Sequence, residues 1–153
     1  MCKWTWILLF CCVPYAACTS QRSTPVAGTV DVAVTDDLGL KPPSELALLM
    51  RTLAAHADSV KAALAAQEEL PPFPKEAKTL FTATPTEGME IDPITYPTFG
   101  KDYLKKLDAL YRAERTDRAQ AYNALVLGCA NCHTTHCPGP MMRIKKMYVP
   151  LTE

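Results

Sequence analysis

The sequence has no excess of either charge: sixteen Lys and Arg balance sixteen Asp and Glu in 153 residues. No strong field is available to steer the chain towards nucleic acid, so neither DNA nor RNA is an expected partner. A long apolar run is also missing. The longest, about Trp4 to Val13, covers roughly ten residues, well short of the ~20 that a membrane-spanning helix needs. No stretch alternates convincingly as a strand, and no internal repeat is present. Nor does a second carboxylate or histidine cluster bring an acid, a base and a nucleophile together. The expectation is therefore a protein that is not an enzyme.

What is present begins with "MCKWTWILLFCCVPYAACTS", where Lys3 precedes the apolar run and Ala16 and Ala17 follow it. That order is signal-peptide grammar, giving an expected leader over residues 1–17. "YAAC", ending at Cys18, resembles the bacterial lipobox, although Tyr15 stands where Leu or Val is usual. Lipidation of Cys18 would hold the chain to a bacterial membrane through acyl chains alone. Plain cleavage would instead release a soluble periplasmic protein. Either route removes Cys2, Cys11 and Cys12, leaving Cys18, Cys129, Cys132 and Cys137.

Residues 18–43 are rich in Ser, Thr, Pro and Gly and read as a flexible tether. A single domain is expected over 44–153. Ser44 is the expected N-cap of a first helix, in which Leu46, Leu49, Met50, Leu53, Ala57, Val60 and Leu64 recur at helical spacing. "PPFP" at 71–74 stops it. A short second helix is expected over Lys75 to about Ala83, with Leu80 and Phe81 inward, followed by an irregular loop rich in Pro and Gly. A third is expected over about Tyr103 to Arg115, with a start as early as about Thr98. Thr116 or Asp117 then caps a fourth, whose stripe is Tyr122, Leu125, Val126, Cys129, Cys132, His133 and His136. Pro138, Gly139 and Pro140 end it, and the tail from Met141 is expected to pack back. The fold class is all-α, most simply a four-helix bundle.

The run "CANCHTTHC", Cys129 to Cys137, holds three cysteines and two histidines in nine positions. Cys129, Ala130, Asn131, Cys132, His133 is C-x-x-C-H, the attachment signature of c-type haem, in which two thiols join the porphyrin and the histidine ligates iron. Positions i, i+3 and i+4 share one helical face, so both sulfurs and the imidazole can meet one planar ligand. Three other readings stand beside it. Cys129 and Cys132 could be a redox dithiol, though such motifs normally open a helix in a βαβ setting. Zinc could use Cys129, Cys132, His136 and Cys137, though zinc sites usually draw two ligand pairs from separate segments. A disulfide of Cys132 with Cys137 or Cys129 is the third.

An exported leader, four expected helices and C-x-x-C-H near the end of the last resemble the class II c-type cytochromes, the cytochrome c-prime family. The likeness is strongest to exported bacterial members with "CPGP" and a basic "RIKK" run after the motif, and it spans roughly Ser44 to Met147. It implies a four-helix bundle enclosing one covalent haem c, with Cys129 and Cys132 as thioethers and His133 as the proximal ligand. The tail departs from the pattern, since about twenty residues follow His133, more than in typical members.

In the family the first helix lines the other iron face, carrying either an apolar residue that leaves iron open to small gases or a Met that closes it. Leu49, Met50 and Leu53 share that inward face here. Leu49 and Leu53 are expected to pack on the haem, and Met50 is the one competent distal ligand among them. His56 is read as packed or exposed, Arg51 as solvated or paired with a propionate, and Cys137 as an unpaired thiol.

The expected function is a monohaem cytochrome carrying single electrons between periplasmic redox partner proteins. A five-coordinate protein binding NO or CO is the alternative, and a thiol oxidoreductase the remote one. The resemblance also implies that a homodimer can form through helical faces.

Overall fold

The computed structural model describes residues 41–151. The expected leader, Cys18 and nearly all of the tether lie outside the described residues. Within them the fold is all-α, with no strand.

Helix α1 spans Glu45–Ala66 and opens as its sequence demands. The Ser44 hydroxyl accepts from the Ala47 N–H at 3.1 Å, and Glu45 puts an acidic group in the first turn, where the helix dipole favours it. Its buried stripe is Leu46, Leu49, Leu53, Ala57, Val60 and Ala63. The helix stops at Gln67, which turns left-handed at φ 56°, several residues before the prolines expected to end it. The Gln67 carbonyl accepts from Arg115 Nη1 at 2.9 Å, and Glu69 pairs with both Arg115 and Arg118. Contacts from Arg115 and Arg118, distant in sequence, thus meet this terminus.

The expected second helix is only a 3-10 turn, Lys75–Thr79. Leu80 is buried as expected, but Phe81 is 43% exposed and its ring lies edge-on to Tyr96. Helix α2, Thr95–Arg112, begins earlier than the sequence suggested and runs through Pro97 and Gly100. Asp92 explains the start: its Oδ1 accepts from the Ile94 N–H, the Thr95 N–H and the Thr95 hydroxyl at 3.1, 2.6 and 2.7 Å. Pro97 falls in the first turn, where its missing N–H costs no helical hydrogen bond. Gly100 is buried under Phe81, and a Cβ there would lie 2.5 Å from the Phe81 ring.

Helix α3, Arg118–His136, follows a short connection and forms a hairpin with α2, the most closely packed pair in the fold. Asp117 occupies its N-cap position but makes no side-chain capping bond. Gly128 is buried where the two helices meet, so a Cβ there would stand 3.7 Å from the Tyr103 Cα. Leu107, Leu110, Leu125, Val126 and Val60 are essentially inaccessible. Burying each such side chain contributes about 1.5–3 kcal/mol.

After Pro138 to Pro140 the chain makes the one-turn helix α4, Met141–Ile144, and the tail packs back as expected, burying Ile144 and Met147. Lys61 Nζ donates to the Lys146 carbonyl at 2.7 Å, and the Asn123 side chain exchanges two hydrogen bonds with the Val149 backbone. Arg143 pairs with Asp58 at 2.6 Å. Three long helices and a folded-back tail thus surround the core, and α1 contacts the hairpin more sparingly than the hairpin contacts itself.

Candidate cofactor site

A cavity of about 330 Å³ has walls from α1, the α2–α3 hairpin and α4. Its size falls within the ~300–1,000 Å³ of small-molecule and cofactor sites. Cys129, Cys132 and His133 all line it, together with His136 one turn on. The stripe that buries Tyr122, Leu125 and Val126 in the core therefore continues into the cavity as the motif. Just before it, a Cβ at Gly128 would press on the Lys106 side chain at 3.3 Å and touch the α2 backbone at Tyr103 at 3.7 Å.

His133 is held in one tautomer. Its Nδ1 lies 3.0 Å from the Cys137 carbonyl oxygen, and a carbonyl only accepts, so Nδ1 carries the hydrogen. Nε2 keeps its lone pair and is competent to bind a metal. The lock is reciprocal, for the Cys137 N–H donates to the His133 carbonyl at 3.2 Å. Pro138 explains the geometry: the residue before a proline is pushed out of the helical region, and Cys137 sits at φ −155°, ψ 81°. Cys137 thus acts through its backbone. The signal available in the sequence was the proline after it, not the sulfur.

Burial pushes the Cys129 thiol up to about 12. Burial also raises that of Cys132, with the nearby Cys137 adding to the shift. Thiols used for disulfide exchange are shifted the other way, towards the thiolate. Cys129, Cys132 and Cys137 are all free, so neither disulfide considered from the sequence forms. Among the described residues no three His, Cys, Asp or Glu side chains are gathered around one point. His136 instead has its Nε2 3.2 Å from the Thr95 hydroxyl, with its ring edge-on to Tyr96 and Phe99.

Across the cavity, α1 contributes Leu46, Ala47, Met50, Leu53 and Ala54. Met50 is half-buried and reaches the cavity, and so does Leu53. Leu49 is buried in the core but does not line the cavity; Leu46, one turn earlier, takes that place. Arg51 lies exposed at the cavity's edge. His56 is not part of the lining: its Nε2 meets the Tyr111 hydroxyl at 2.7 Å, and that hydroxyl donates to the Pro71 carbonyl at 2.7 Å. Among the cavity residues that went unread in the sequence are Met89 from the irregular loop and Met147 from the tail. Neither belongs to a long helix whose periodicity could have placed it.

Comparisons with known protein families, curated proteins and solved structures find no match. The chemistry open to the site follows from its own side chains. The sulfurs of Cys129, Cys132 and Cys137 and the metal-competent imidazole of His133 belong to one largely apolar cavity, whose lining also carries the thioethers of Met50, Met89 and Met147.

Proposed function

We propose that the protein is a monohaem c-type cytochrome that carries single electrons between exported redox partners and performs no substrate chemistry of its own. The observation that carries this reading is the shared cavity of Cys129, Cys132 and His133, with His133 Nδ1 committed to Cys137 and Nε2 left free. Half-buried thiols shifted away from the thiolate suit permanent thioether bonds better than reversible exchange. Bound there, haem would supply one-electron chemistry at iron.

In this reading the helices form a bundle around the haem, and each group in the wall has a task. Cys129 and Cys132 would hold the macrocycle to α3, and His133 Nε2 would bind the iron. Met50 is the candidate thioether for the iron's other face. Leu46, Leu53 and Ala54 exclude water, which together with the axial ligand sets the potential. Cys18 would receive the lipid that keeps the domain at a membrane in the periplasm.

A second reading, an iron left open to NO or CO, is favoured by the apolar side chains that surround Met50 on α1. The two readings share the haem and differ at Met50. Expression with a haem-attachment system, followed by a denaturing gel stained for haem peroxidase activity, tests what they share. A stained band is expected at the size of the chain; an unstained one would contradict both and favour free thiols.

A further inference from the structure

Three tyrosines are buried in the core, and two of them have partners for their hydroxyls. Tyr96 donates to the Leu80 carbonyl at 2.8 Å and Tyr122 to the Ala57 carbonyl at 3.2 Å. Tyr103 is 8% exposed and lines the cavity, and its hydroxyl makes no hydrogen bond to the described residues while its oxygen stays accessible to whatever fills the cavity. Leaving a hydroxyl unpaired in an apolar surrounding is unfavourable, and the usual resolution is a ligand or water that accepts from it.

Arg51 lies exposed at the edge of this wall, and most of its other polar groups are already engaged. His133 Nδ1 is held by Cys137, His136 Nε2 meets Thr95, and Arg143 pairs with Asp58. Tyr103 lies on the face of α2 that meets Gly128, the residue before Cys129, and it lines the same cavity as Cys129. Burial pushes its phenol well above the ordinary value of 10, which keeps the proton on oxygen and makes the group a standing donor.

We propose that Tyr103 donates a hydrogen bond to an oxygen acceptor that enters this cavity with the haem. The inference rests on the haem reading above. Two acceptors share this chemistry, a haem propionate and a diatomic ligand on the iron.

The test is Tyr103→Phe in the full haem-loaded chain, since phenylalanine keeps the ring that fills the wall. Resonance Raman spectra and the midpoint potential report on the propionate, and the stretching frequency of a carbon monoxide adduct reports on a ligand at iron. For a propionate partner, the propionate bending modes shift and the potential falls, because an unscreened carboxylate favours ferric iron. For an iron ligand, the carbon monoxide stretch rises and the gas leaves roughly threefold to tenfold faster, the worth of one hydrogen bond. Either outcome supports the assignment and identifies the acceptor. A haem-loaded variant in which none of these quantities moves overturns the Tyr103 assignment alone, whereas a chain that gains no haem overturns the haem reading with it.

Discussion

His133 and Cys137 hold each other in place: Nδ1 of the imidazole meets the Cys137 carbonyl at 3.0 Å, and the Cys137 N–H returns to the His133 carbonyl at 3.2 Å. The helix ends in a way that orients its last functional side chain. Pro138 keeps Cys137 out of the helical region, so Pro138→Ala should let the helix continue and turn that carbonyl away. Haem should still attach, because the thiols are untouched. The imidazole would be a weaker donor to ferric iron, and the midpoint potential should rise by on the order of a few tens of millivolts. An unchanged potential in voltammetry would show that the lock has no influence on the ligand.

Met50→Ala separates the two haem readings. If the Met50 thioether closes the iron, the variant should become high-spin in optical spectra, bind carbon monoxide, and lose potential. If the wild-type protein is already high-spin and the substitution leaves its spectrum unchanged, Met50 only packs, and the gas-binding reading takes its place.

His56 gives the fold a pH dependence. Burial lowers its pKa from the ordinary 6.5, so the unfolded chain takes up a proton more readily than the folded one. Its contribution to stability is therefore fully present above 6.5 and lost as pH falls through the lower folded value. Thermal melts should show a melting temperature that drops from pH 7.5 towards pH 5, with a shallower drop in His56→Gln. Equal slopes in the two proteins would remove His56 as the cause.

Asn123 ties the tail to α3 through two hydrogen bonds with Val149, at 2.8 and 2.9 Å. Asn123→Ala should cost about 1–2 kcal/mol and speed amide exchange mainly in residues 145–151. Haem attachment should be unaffected, since Ile144 and Met147 remain buried by their own packing. Faster exchange throughout α1 instead would mean that the tail supports the whole fold.

The long helices were legible because their apolar residues recur at helical spacing and Ser44 is a strong cap. The start of α2 was not, because its determinant is Asp92, three residues upstream, and Pro97 reads locally as a breaker. The early end of α1 was hidden for a similar reason: Gln67 is held by Arg115, distant in sequence. At the site, Cys129, Cys132 and His133 were readable from spacing alone. The hydroxyl of Tyr103 and the carbonyl of Cys137 were not, since periodicity places side chains on faces but does not say which polar groups find partners. Leu49 shows the same limit, sharing a helical face with Met50 while remaining outside the cavity.

The central claim is that α3 holds a covalent haem through Cys129 and Cys132. Intact-protein mass spectrometry after denaturation, on the chain made with a haem-attachment system, measures it most directly. One haem mass should be added to the processed chain and be absent from the double variant Cys129→Ser, Cys132→Ser. A wild-type chain at its bare polypeptide mass, with its thiols open to alkylation, would contradict the account.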